Sequence, residues 1–111
     1  MRKTMSEAQR ALFEALEDCG TLIFAAGPQG VSVNLVGRFA VRRRGDEDRL
    51  EVGDGTDHAH VDWSRVTGCA PGSFHGEGLL VFAAGEEPLF KLYRPAGAFP
   101  SQVQELAGAL G

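Results

Sequence analysis

Leu79-Leu80-Val81-Phe82-Ala83-Ala84, Gly85-Glu86-Glu87-Pro88 and Leu89-Phe90-Lys91-Leu92-Tyr93-Arg94 read as a strand, a turn and a returning strand. The first run is apolar, and the middle four residues carry the Gly and Pro that punctuate a turn. In the last run Leu89, Lys91 and Tyr93 fall on one face of a pleat and Phe90 and Leu92 on the other.

The same pattern extends upstream. Thr21–Ala26 is a short apolar run, Gly27-Pro28-Gln29-Gly30 is a turn, and Val31, Val33 and Leu35 alternate with Ser32, Asn34 and Val36 as a half-wet strand. Gly37 marks a bend, after which Phe39 and Val41 continue as strand. Arg42-Arg43-Arg44-Gly45-Asp46-Glu47-Asp48-Arg49 reads as a solvated hairpin tip, because the acids largely cancel the field of the three arginines. Leu50 and Val52 restart a strand that Gly53-Asp54-Gly55 ends. The segment from Gly68 to Gly78, rich in Gly and Pro, reads as a loop or an irregular strand.

Helices close both ends. Ser6 and Gln9 have capping-box spacing, and Ala8, Ala11, Leu12, Ala15, Leu16 and Cys19 recur at threes and fours until Gly20. Ser101 and Gln104 repeat the spacing before Val103, Leu106, Ala107 and Leu110. The order is helix, about seven strands joined by hairpins, helix. That is an α+β fold with an antiparallel sheet, in one domain over residues 1–111.

Composition narrows the class. The chain has 111 residues, 43% hydrophobic and 23% charged, with a formal net charge of −4, which excludes disorder and argues against a dedicated nucleic-acid binder. No apolar run approaches the roughly 20 residues of a membrane helix. The basic start, Met1 to Met5, leads into an amphipathic pattern and not into the apolar region of a secretory signal. Cys19 and Cys69 form no CxxC, which suits a reducing cytoplasm and excludes a four-cysteine zinc site or a disulfide framework. Nothing points to a chemical reaction: Ser64 and Ser73 lack an elbow motif, and Cys19 sits on an apolar stripe.

His58-Ala59-His60-Val61-Asp62-Trp63 alternates strictly. On a strand, Ala59, Val61 and Trp63 share one face and His58, His60 and Asp62 the other, with the two imidazoles about 7 Å apart. Imidazole ligates haem iron, zinc, copper and non-haem iron. The pair can hold one small metal ion with Asp62 nearby. It cannot supply both axial ligands of one haem, which approach from opposite sides of the ring. A solvated strand face accounts for the same residues, as does a ligand-free module that dimerises through its sheet. His75, in Ser73-Phe74-His75-Gly76, and Tyr93, the only tyrosine, are further candidate ligands. Arg38, Arg65 and Arg94 are cations suited to a propionate.

In order, these pieces resemble the ChuX/HutX-type cytosolic haem-utilisation proteins, relatives of the HemS/ChuS haem carriers. Gly20-Thr21-Leu22-Ile23 with Val31–Phe39 is similar to that family's opening hairpin, and Asp57-His58-Ala59-His60-Val61 to its His-Gly-His-Leu segment. Leu79–Tyr93 is similar to its Gly-Glu hairpin. Asp62 stands where a basic residue often follows, and Arg94-Pro95-Ala96-Gly97 where Gly-Arg-Asp is common. The resemblance implies a split-barrel-like antiparallel sheet with flanking helices, a homodimer, a cytoplasmic location and haem, or a related tetrapyrrole, as partner. It carries the His-x-His role to His58 and His60, as cofactor-binding and metal-ligating residues, with His75 and Tyr93 as further haem-binding candidates.

Overall fold

The computed structural model describes residues 2–110 of the chain. Its elements are α1 (Glu7–Leu16), β1 (Thr21–Ala26), β2 (Val33–Arg44), β3 (Glu47–Val52), β4 (Asp57–Ala59), a 3-10 turn (Trp63–Arg65), β5 (Gly68–Phe74), β6 (Glu77–Ala84), β7 (Glu87–Arg94) and α2 (Ser101–Gly108). The strands form one antiparallel sheet in the order β4-β3-β2-β1-β7-β6-β5, open at β4 and β5. This is the α+β class that the hairpin pattern implies.

Alternation sorts each strand into a core face and an outer face. Leu22 and Phe24, Phe39, Leu50 and Val52, Leu80 and Phe82, and Phe90 and Leu92 are all buried in the core. Four phenylalanines on neighbouring strands stack in sequence: Phe82 on Phe90 (4.6 Å between ring centroids), Phe90 on Phe24 (5.0 Å) and Phe24 on Phe39 (6.3 Å). Such offset stacks add to the area they bury. Gly37 permits the bend in β2, because its φ is +154° and a Cβ there would lie 2.7 Å from a Val52 methyl.

The N-terminal capping box forms as the spacing implies. The Ser6 hydroxyl accepts from the Gln9 N–H, and the Gln9 side chain accepts from the Ser6 N–H. The buried face of α1 is nevertheless rotated from the expected stripe. Gln9, Leu12, Phe13 and Leu16 are buried, whereas Ala8 and Ala11 are exposed. Gln9 is drawn inward because its amide donates to the carbonyls of Trp63 (2.9 Å) and Val66 (3.0 Å), which lie outside any strand ladder. Cys19 lies past the helix end and is buried in the turn that follows.

Three other expectations are corrected. Gly68–Phe74 is a regular strand paired with β6 along its length, and Pro71 is tolerated because β5 is an edge. The second capping box does not form: Pro100 is the N-cap, and Gln104 donates to the Phe99 carbonyl instead. The basic–acidic tip is not wholly solvated, because its Asp48 is 0% exposed. That carboxylate accepts hydrogen bonds from the Met5 N–H, from Arg10 and from Arg43, each at 2.8 Å. Burial pushes the Asp48 pKa up, but these donors outweigh it and hold the group below its ordinary 3.8.

Candidate functional site

β4 pairs with β3 in the register Leu50 with Ala59, Glu51 with His58 and Val52 with Asp57. The pleat stops at Ala59, three residues after it begins, so the strand expected through Trp63 is shorter than its alternation implies. The sidedness persists without the strand. Val61 and Trp63 are buried, and His58 and His60 are exposed. The two imidazoles meet edge to face with centroids 4.9 Å apart.

Asp62 parts from them. It caps the 3-10 turn, its carboxylate accepting from the Arg2 N–H (3.1 Å), the Ser64 N–H (3.2 Å) and the Ser64 hydroxyl (2.6 Å). The Ser64 hydroxyl, first among these donors, holds its pKa below 3.8. Among the described residues no group of three His, Cys, Asp or Glu side chains is placed to hold a metal ion.

His60 has the more developed surroundings. Its Nδ1 lies 2.9 and 2.8 Å from the two carboxylate oxygens of Glu47 at the start of β3. The ring stands at a half-open recess of ≈ 210 Å³ lined by Phe24, Ala26, Val61, Leu89 and Phe90, with Asp62 and Arg65 at its edge. Phe24 and Phe90 belong to the stacked phenylalanine row, so the floor is apolar and continuous with the core. Arg65, anchored to Glu87 at 3.0 Å, places a cation at the rim.

His75 and Tyr93 lie elsewhere. His75, with φ +50°, and Gly76 make the tight turn between β5 and β6, the left-handed pair that a two-residue hairpin requires. Phe74 joins the two candidates, 4.2 Å from the His75 ring and 5.8 Å from the Tyr93 ring. Tyr93 and Phe74 border a shallow recess of ≈ 280 Å³ on the outer face of the sheet, beside Ile23 and Ala25. The four candidates thus fall into two groups, His58 with His60 and His75 with Tyr93. Of the candidate propionate partners, Arg94 is engaged, donating to the carbonyls of Cys19 (3.1 Å) and Ala98 (2.8 Å). The cysteines are poor nucleophiles: burial pushes the Cys69 thiol up to about 12 and raises that of Cys19 as well.

Glu47 escapes a motif-based reading because it lies 13 residues before His60. Its signal is periodic. Once Glu51 pairs with His58, Glu47 and Glu51 fall on the face of β3 that His58 occupies on β4.

No family model and no curated protein sequence matches the chain. Solved structures do match in fold. A crystal structure of ChuX superposes with a TM-score of 0.58 at 11% identity, covering 87% of this chain and 66% of that one. A structure of the heme-binding protein ChuX gives a TM-score of 0.59 at 12% identity, over 93% of this chain and 70% of that one. A protein from Erwinia carotovora gives 0.60 at 14% identity, over 92% and 71%. The chain therefore has a ChuX-like α+β fold and spans about two thirds of the length of the ChuX structures it matches.

Proposed function

We propose that this protein binds haem, or a related tetrapyrrole, as a carrier or store in the cytoplasm, with His60 as the iron ligand and His58 beside it. The observation that carries the reading is the position of His60. One ring nitrogen is held by Glu47 and the ring borders an apolar recess floored by Phe24 and Phe90. The ChuX-like fold, shared with a heme-binding protein, supports it.

The residues present fit such a group. Iron requires a nitrogen lone pair, and with Nδ1 committed to Glu47 the ring offers Nε2. The apolar floor removes ring surface from water, worth roughly 25 cal/mol per Å². Arg65 at the rim suits a propionate. The recess, at ≈ 210 Å³, is smaller than the roughly 300–1,000 Å³ of an enclosed ligand pocket, so it would take in only part of a macrocycle. A bound haem would supply iron coordination and visible absorbance, and the chain supplies capture and orientation. A haemin titration followed at the Soret band tests the proposal. Saturable binding to the wild type that the His58→Ala/His60→Ala double variant lacks is the expected result. An equal shift in both proteins overturns it.

The same reading includes a homodimer formed through the outer face of the sheet. Val36 is 61% exposed and Phe74 50%, on a face that also carries Ile23, Leu79, Val81 and Tyr93. A second copy would remove this apolar surface from water.

A further inference from the structure

We propose that Glu47 is the positioning residue of this site: it fixes His60 as the Nδ1–H tautomer and makes Nε2 an electron-rich ligand that favours ferric over ferrous iron. The second half of the inference rests on the haem reading above, and the first half does not.

The tautomer follows from donor and acceptor chemistry. Both Glu47 oxygens lie within hydrogen-bond distance of one nitrogen, at 2.9 and 2.8 Å. An ionised carboxylate only accepts, so Nδ1 must carry the proton. In the neutral ring the lone pair then belongs to Nε2. An imidazole free of such a partner would divide between two tautomers and turn about χ2. Here the bifurcated contact places the proton on Nδ1 and holds that edge of the ring against Glu47. Glu47 is itself mostly buried, its side chain only 15% exposed, and its backbone is in ladder register with Arg44 beside the β2–β3 turn.

The electronic consequence is general for ligating histidines. A carboxylate that accepts the second N–H raises the basicity of the ligating nitrogen, and loss of such a partner costs about 10–100-fold in metal affinity. A more basic ligand stabilises the higher-charged ferric iron more than the ferrous, and so lowers the reduction potential. Among the described residues His58 has no corresponding carboxylate: its register partner Glu51 is committed to Arg44 through two bonds, at 2.7 and 2.8 Å. The two histidines, equivalent in the sequence, are therefore inequivalent in the fold.

Two measurements test this on the wild type, on Glu47→Ala, which removes the acceptor, and on Glu47→Gln, which keeps an accepting oxygen but removes the charge. The first is ¹⁵N NMR of the imidazoles in the ligand-free protein, which reads the tautomer directly. A protonated Nδ1 on His60 in the wild type, redistributed in Glu47→Ala, which has no acceptor, is expected; a protonated Nε2 in the wild type, or an unchanged ring in Glu47→Ala, overturns the assignment. The second is a haemin titration with spectroelectrochemistry, where Glu47→Gln should bind haemin about 10–100-fold more weakly and show a higher midpoint potential. An unchanged potential overturns the electronic half. A wild type with the Nδ1–H tautomer that takes up no haemin overturns the haem reading and leaves the role of Glu47 in fixing the ring upheld.

Discussion

The indole N–H of Trp63 donates to the main-chain carbonyl of Asp48 at 3.0 Å, and both residues are 0% exposed. The only tryptophan of the chain is thereby tied through the main chain to Asp48, the most buried acidic residue among those described. The N-terminal segment is threaded between them. Asp48 donates its N–H to the Lys3 carbonyl and Trp63 to that of Arg2, at 2.9 and 3.0 Å. Everything that positions His60 hangs from this junction, because β3 carries Glu47 and the chain from β4 leads into Trp63.

Removing the carboxylate should therefore destabilise the fold. Asp48→Ala leaves the Met5 N–H without its acceptor and releases Arg10 and Arg43, whose half-exposed side chains turn to water. A donor left without its partner in the interior costs about 1–3 kcal/mol, and the exposed arginines add little. Urea unfolding followed by Trp63 fluorescence should show a loss of that size.

Acid should produce the same loss reversibly. The pKa of Asp48 is held below 3.8 in the fold, and that of Glu51 is held below its ordinary 4.5, chiefly by Arg44. A group whose folded pKa is depressed contributes stability that is complete above its unfolded pKa and is lost as pH falls through the folded value. Stability should thus hold from neutrality to about pH 5 and decline below about pH 4. In melting curves taken across that range, the gap between wild type and Asp48→Ala should narrow at the acid end. A gap that stays constant would mean that Asp48 contributes no pH-dependent term.

What the sequence discloses here is what local chemistry determines. Ser6 and Gln9 announce α1 because a capping box is a contact between near neighbours. The Gly85 turn announces β6 and β7 because a hairpin sets its own register. His60 is visible as a candidate because alternation assigns its face even where the strand has ended. Long-range partners are not disclosed. The inward turn of Gln9, the burial of Asp48 and the clamp of Glu47 on His60 each depend on residues 13 to 57 positions away. Gly68–Phe74 looks like a loop because Gly and Pro oppose strand formation locally. It becomes a strand because β6 offers a full ladder and the edge position excuses the missing Pro71 N–H. Asp62 reads as a companion of the histidines by spacing alone, but Ser64, two residues on, claims its carboxylate.

The thiols should be unreactive in the native protein. Cys69 is pushed up to about 12 by burial and Cys19 is raised by the same cause, so both remain protonated at neutral pH. Alkylation by iodoacetamide at neutral pH should be slow in the folded protein and rapid after denaturation. Fast labelling of either cysteine without unfolding would contradict this.

The proposed dimer face can be tested without disturbing the core. Val36 and Phe74 are 61% and 50% exposed, so Val36→Asp and Phe74→Asp should change monomer stability by no more than about 0.5 kcal/mol. Size-exclusion chromatography with light scattering should show a dimer for the wild type and a monomer for the double variant. A wild-type monomer at micromolar concentration would remove the dimer.

The two histidines should also separate by single substitution. His60 borders the recess and is held by Glu47, whereas His58 touches His60 edge to face and pairs across the strand with Glu51, which is engaged with Arg44. His60→Ala removes the imidazole held by that clamp, and the recess has no second histidine among the described residues that line it. His58→Ala leaves both the clamp and the apolar floor in place. Haemin affinity should fall by more than tenfold in His60→Ala, a change of at least about 1.4 kcal/mol, and by only a fewfold in His58→Ala. Both variants should melt close to the wild type, because exposed side chains away from the core carry little stability. The reverse order would place the iron on His58, against the β3 face beyond the recess, and would separate the ligand from Phe24 and Phe90.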